Sequence, residues 1–195
     1  MKIGIDIDDT LAMTSDYLLP LALKYDKDVL HKNGVVKPEI DFPRCFDWTN
    51  EELSYFLKNI FEKEVLHIPV MENAKREIIK LRDAGNEIII ISSRNKMQLS
   101  DPYLLTEKWL ELNDIVVDKL IVEAKYKGPI IEEEGIQLLI DDSVGQCTFV
   151  ADNNKIPVIL FPKETNNIEN KGVIRVNGWD EIYDQVTALN KRKVV

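Results

Sequence analysis

From the amino terminus, Ile3, Ile5 and Ile7 alternate with small or polar residues, the two-residue period of a short strand. The alternation gives way to Asp6, Asp8 and Asp9. A helix is expected next, from an N-cap at Thr14 or Ser15, with Pro20 inside it to kink it or break it in two. Residues 31–47 carry Gly34, Pro38 and Pro43 with little periodicity and read as a long loop. Thr49 and Glu52 have the spacing of a capping box, and Leu53, Phe56, Leu57, Ile60 and Phe61 follow at helical intervals. The stretch around Pro69 reads as the exit from this helical insert.

From Met71 the period alternates between helix and strand. Ala74, Ile78 and Leu81 mark one face of a helix that Gly85 should close, and residues 87–91 are a β-branched run suited to a strand buried on both faces. A helix should begin at Asp101 and Pro102, followed by a strand over 120–122 and a short helix over 127–134 that ends at Gly135. The apolar strand 138–140 runs into Asp141 and Asp142. A helix over 143–151, strands over 158–161 and 173–176, and a last helix capped by Asp180 with Ile182, Val186 and Leu189 inward complete the chain. This rhythm predicts an α/β fold with a doubly wound, mostly parallel sheet. Its core should comprise residues 1–13 and 71–195, interrupted after the first strand by a helical subdomain over 14–70.

Composition narrows the partners. A chain of 195 residues has room for one full core and one insert. Lys and Arg total 25 against 34 for Asp and Glu, a net charge of -9 that disfavours a nucleic-acid polymer as partner. Cys45 and Cys147 are the only cysteines, too few for a disulfide framework and without metal-ligand spacing, which fits a reducing cytoplasm. The amino terminus enters a strand directly, and no segment reaches the ~18 apolar residues of a membrane span. A soluble, cytoplasmic, unprocessed protein is expected.

The polar residues that interrupt the pattern fall at strand ends. In an open parallel sheet the crevice at the carboxyl ends of the strands is where ligands bind. Asp6 and Asp8 sit at the first such end, Ser92, Ser93 and Arg94 at the second, and Asp141 and Asp142 at a third, with Lys127 opening a helix. Each has an ordinary reading on its own, the acids and Ser92 as helix caps, Lys127 and Arg94 as solvated cations. Their coincidence at one sheet edge favours a site. Neighbouring carboxylates repel unless a cation or shared proton relieves them, and an all-oxygen cluster suits Mg²⁺.

Together with the DIDDT stretch, the set resembles the haloacid dehalogenase superfamily: a strand ending in DxDxT, a second ending in Ser or Thr, a downstream Lys, and a third ending in paired acids. The carboxyl-terminal part, IPVILFPKE through GVIRVNGWDEI, is similar to the branch of 5′-nucleotidases and deoxyribonucleotidases. The resemblance implies a Mg²⁺-dependent hydrolase of small phosphomonoesters that works through an aspartyl-phosphate. Asp6 would be the nucleophile and a metal ligand, and Asp8 the proton shuttle, its backbone carbonyl also on the metal. Asp142 aligns better than Asp141 with the direct metal ligand. Ser92 and Lys127 would hold the transferring phosphoryl, and Lys127 is favoured over its rival Lys125 by its distance to Gly135–Ile136. Asp9, Thr10, Ser93 and Arg94 complete the expected surroundings of the phosphate, with backbone N–H groups of residues 8–10 as further donors.

The insert would then act as a cap over the crevice, where Phe42, Phe46 and Trp48, with Tyr17, are candidates to stack a nucleobase. Packing of these aromatics as the insert's own core is the competing reading. Two function classes follow: an enzyme, read as a nucleotidase with a phosphatase or phosphomutase acting on another small phosphorylated metabolite as the alternative, or a metal- and phosphate-binding regulator without turnover. The complete acid, serine and lysine set favours the enzyme.

Overall fold

In the computed structural model, which describes residues 1–163, 166 and 172–192, strands and helices alternate after a helical insertion. The strands are β1 (Lys2–Ile5), β2 (Glu87–Ile91), β3 (Lys119–Ile121), β4 (Leu138–Asp141), β5 (Val158–Leu160) and β6 (Val173–Arg175). The main helices are α1 (Thr14–Asp28), α2 (Asn50–Phe56), α3 (Glu62–Glu64), α4 (Ala74–Asp83), α5 (Pro102–Leu112), α6 (Lys127–Glu134), α7 (Val144–Asn153) and α8 (Ile182–Arg192). The strands form one sheet in the order β3-β2-β1-β4-β5-β6, and every pairing is parallel. No helix among the described residues is long and apolar enough to cross a membrane.

Strand period two divides the core between the faces. Ile3, Ile5, Ile88, Ile90, Leu138 and Ile140 lie in one buried cluster with Ile78, Leu81, Trp109, Ile182 and Val186 of the helices. Ile89, Ile91, Leu139, Val158 and Leu160 lie in the other with Ile131, Cys147 and Val150. Both faces are covered, which is why EIIII and LLI read as unbroken apolar runs. Gly4 is needed at the centre of β1, where a Cβ would stand 3.0 Å from Ile91 Cδ1 and 3.3 Å from Ile136. In-register pairing of Ile5 with Ile90 and Ile140 sets β1 between β2 and β4, so its carboxyl end opens at mid-sheet.

The structure differs from expectation in three places, two of them in the insertion. Helix α1 runs unbroken through the exposed Pro20, and neither Thr14 nor Ser15 caps it; Asp9 accepts from the Ser15 N–H at 2.6 Å instead. The capping box of Thr49 and Glu52 does start α2, but the helix then passes through a π-helical turn over Leu57–Phe61 into α3 and a 3-10 turn over Val65–His67. Phe56 and Phe61 are both buried, and a five-residue separation is the one a π turn places on a single face. Asp180 does not cap α8: it lies in a 3-10 turn over Trp179–Glu181, and its carboxylate accepts from Asn73 and Arg76.

Candidate active site

Asp6 directly follows β1, and its N–H continues the ladder to Ile140 O at 2.9 Å. The next residues curl back, with the carbonyl of Ile7 accepting from the N–H of Thr10, Leu11 and Ala12. Asp9 adopts φ 61°, a left-handed conformation tolerated by Asp. The N–H groups of Asp9 and Thr10, expected as phosphate donors, are bonded to Ala12 O and Ile7 O within this loop. The Trp179 indole N–H fixes it from outside, donating to Thr10 O at 2.7 Å.

Two buried cations divide the loop's acids. Lys127, only 2% exposed at the start of α6, donates to Asp6 Oδ1 at 2.6 Å and to Asp141 Oδ2. Asp141 also accepts from the Ser143 N–H at 2.8 Å. Arg94, wholly buried past the end of β2, grips Asp8 through Nη2 at 2.7 Å and Nε at 3.0 Å. The Thr14 hydroxyl donates to the same carboxylate at 2.6 Å. Arg94 also reaches Thr106 Oγ1 at 3.4 Å, and its guanidinium lies about 6 Å from the rings of Phe61 and Trp109. Arg94, expected beside the phosphate, is a buried partner of Asp8. Ser92 is fully buried and its Oγ accepts from the Arg94 N–H at 3.2 Å, while Ser93 is exposed. Lys125 is exposed and its ammonium lies 5.4 Å from the Tyr126 ring, away from the acids.

A third cation, Lys163, was not anticipated from the sequence. Its Nζ donates to Asp9 Oδ2 at 2.7 Å and to Asp142 Oδ2 at 2.9 Å. The other Asp142 oxygen faces the Thr10 hydroxyl at 3.4 Å. Lys163 follows β5 by the same rule that singled out the acids after β1 and β4; the rule applied to the fifth strand would have found it. Thr14, expected only as a cap, and Asn166 and Trp179, which drew no attention, complete the support of the acids.

The candidate aromatics pack together, Phe42 lying 6.2 Å from Phe46 and 6.0 Å from Phe56. Phe46 is buried and stacks on Trp48 at 4.5 Å; Trp48 lies 5.1 Å from Phe56 and donates its indole N–H to Asp26 at 2.6 Å. The Tyr17 hydroxyl donates to Glu64 at 2.8 Å. Of the three expected rings, Phe42 also lines a groove of about 530 Å³, with Ser15, Leu19, Ile40, Asp9 and Lys163.

No family model matches the chain. It is 25% identical over 186 residues to "Putative nucleotidase YqfW" of Bacillus subtilis, covering 93% of this chain and 91% of that protein. Among solved structures, the haloacid dehalogenase-like hydrolase SP0104 of Streptococcus pneumoniae superposes with a TM-score of 0.67 at 12% identity, covering 95% of this chain and 97% of that one. A "predicted phosphatase" of Clostridium acetobutylicum gives 0.67 at 16% identity, covering 96% and 98%. The chain has the haloacid dehalogenase-like fold.

In this haloacid dehalogenase-like sheet, carboxylate oxygens of Asp6, Asp141 and Asp142 lie within 4.8 Å of one another. Burial pushes the Asp6 carboxyl well above the usual range; Lys127 opposes this, and the neighbouring acids add to it. Burial likewise raises Asp142, to about 6, with Lys163 opposing and Asp141 adding. Burial would raise Asp8 too, but the charge and hydrogen bonds of Arg94, with Thr14, outweigh it and hold Asp8 below its ordinary value. Burial disfavours the Lys127 ammonium, yet Asp141 and Asp6 more than offset that, so it stays charged. Asp6, Asp8, Asp9, Asp141 and Asp142 thus stand around Lys127, Arg94 and Lys163, with Asp41 at 4.0 Å from Lys163, so carboxylates outnumber cations. The all-oxygen donor set, its crowding and this charge deficit fit a hard divalent cation such as Mg²⁺.

Proposed function

We propose that this protein is a Mg²⁺-dependent phosphomonoester hydrolase working through an aspartyl-phosphate on Asp6, and that its substrates are nucleoside or deoxynucleoside monophosphates. The observation that carries the reading is the convergence of Asp6, Asp141 and Asp142, the first two sharing Lys127, at the carboxyl edge of the sheet. The 25% identity to a protein named as a nucleotidase supports the choice of substrate. The two cysteines, both free and buried, are consistent with a reducing cytoplasm.

Asp6, Asp141 and Asp142 would hold the cation, which when bound lowers the negative potential that otherwise repels a phosphate dianion. Asp6 supplies the attacking oxygen: its bond to phosphorus forms as the ester oxygen leaves with the bonding pair. Lys127, fixed beside Asp6, balances charge on the transferring group, and the Ser92 hydroxyl lies at the adjoining strand end to donate to it. Asp8, oriented by Arg94 and Thr14 and held ionised, is suited to take the proton of the water that cleaves the acyl-phosphate. In the first step a phosphate dianion arriving beside Asp8 raises its proton affinity; the Asp8 carboxyl gives that proton to the leaving oxygen and regains one from the attacking water, which closes the cycle. Residues 14–70 act as a cap, with Phe42 facing the groove beside the site.

A screen of nucleoside monophosphates, sugar phosphates and p-nitrophenyl phosphate, with Mg²⁺ and with chelator, tests the proposal. Phosphate release from a nucleoside monophosphate only with Mg²⁺ is expected. Turnover of sugar phosphates alone would overturn the substrate class, and no turnover of any ester would overturn the enzyme.

A further inference from the structure

Lys127 bridges two acids, whereas Lys163 bridges Asp9 and Asp142 with a third acid, Asp41, at 4.0 Å, and their settings differ. The Lys127 side chain is 3% exposed and enclosed by the elements whose acids it joins. The Lys163 side chain is 18% exposed and lines the groove. Its loop is fastened to the acid cluster: the Lys163 N–H donates to Asn166 Oδ1 at 2.9 Å, and the Asn166 amide donates to Asp142 O at 2.9 Å and Phe161 O at 2.7 Å. Asn166 is 1% exposed, so this staple is buried and the ammonium is delivered to Asp142 by design of the fold rather than as a loose surface cation.

The three acids are not equally committed. Asp141 has one oxygen on Lys127 and the other on the Ser143 N–H. Asp142 has one oxygen on Lys163 and the other only at 3.4 Å from the Thr10 hydroxyl. A cation that engages Asp142 therefore meets a positive charge already there, and Lys163 keeps Asp9 as its second partner if it yields Asp142.

We propose that Lys163 is an exchangeable counter-ion that competes with the divalent cation for Asp142 and thereby sets the metal affinity of the site. The proposal rests on the reading of Asp6, Asp141 and Asp142 as the metal site. Lys163 is on this account a positioning residue, acting through Asp142.

The test is calorimetric titration of the whole protein with Mn²⁺, together with thermal melts in chelator and in Mn²⁺. Lys163→Met, which keeps the stem and removes the charge, should bind Mn²⁺ about tenfold more tightly, from loss of a like charge near the ion. Its melting temperature in chelator should fall below wild type, while the rise on adding Mn²⁺ should be larger. Lys163→Gln, which keeps a donor for Asp9, should behave similarly, and Lys163→Arg should restore wild-type affinity. Equal or weaker Mn²⁺ binding by both neutral variants, with wild type binding normally, would overturn the role of Lys163 alone, because a loop support would loosen the site. Wild-type protein that takes up no Mn²⁺ would overturn the metal reading and the proposal with it.

Discussion

Two carboxylates of one loop, Asp6 and Asp8, are separated by a single isoleucine and meet opposite environments. Asp6 shares a buried ammonium with Asp141 and is crowded by acids that raise its proton affinity. Asp8 has a guanidinium to itself, with a hydroxyl on the same oxygen, and is held ionised. The shared point charge leaves Asp6 short of compensation and receptive to a cation, whereas the planar fork of Arg94 fixes Asp8 in one orientation. Environments that push two neighbouring acids apart in this way suit them to different chemical tasks.

The largest effect should come from breaking the crowded side. Asp6→Asn keeps side-chain volume, and its kcat for any substrate should fall by about a thousandfold or more, with far-UV circular dichroism unchanged. Activity within tenfold of wild type would mean that another group attacks phosphorus. Next comes the ammonium. Lys127→Ala should lower kcat/KM by about a hundredfold and cost about 3–5 kcal/mol of stability by stranding two buried acids, so rates must be referred to the folded fraction. Lys125→Ala, on the surface, should stay within about twofold in the same assay; equal losses would undo the assignment.

On the ionised side, Asp8→Asn should slow an alkyl phosphate about a hundredfold and p-nitrophenyl phosphate less, because the nitrophenolate needs no proton to leave. Equal slowing of both would place Asp8 only in the water step. The smallest effect belongs to the groove. Phe42→Ala should raise KM for a nucleoside monophosphate about tenfold and leave p-nitrophenyl phosphate unaffected. Phe46→Ala and Trp48→Ala should instead lower stability by about 3–5 kcal/mol, as losses from a packed aromatic cluster. Thermal melts separate the two outcomes.

The parts of this arrangement that follow local rules could be read from the chain. Period-two isoleucines gave the strands, Gly85 and Gly135 the helix ends, and acids placed after apolar runs the sheet edge on which they meet. What escaped depends on partners far apart in sequence. Arg94 and Asp8 are 86 positions apart, and Lys163 and Asp9 are 154 apart, so neither pair leaves a periodic trace. The π turn over Leu57–Phe61 was hidden because its apolar spacing is close to that of an α-helix. Of the two effects expected of Pro20, a kink or a break, the break does not occur: α1 is continuous across it at an exposed position. The aromatics of 42–48 showed no period, and tertiary packing sets both their shared cluster and the reach of Phe42 to the groove, with Trp48 anchored through Asp26.

The most direct test asks which atom carries the phosphoryl group. Protein mixed with Mg²⁺ and p-nitrophenyl phosphate is quenched during turnover and treated with borohydride, which reduces an aspartyl-phosphate to homoserine, and the modified position is located by tandem mass spectrometry. Modification at Asp6 that requires both substrate and Mg²⁺, and is absent from Asp6→Asn, is the predicted result. Phosphate release at the wild-type rate with no modification at Asp6, or with modification at Asp8, Asp9, Asp141 or Asp142 instead, would contradict the assignment of Asp6 as the nucleophile.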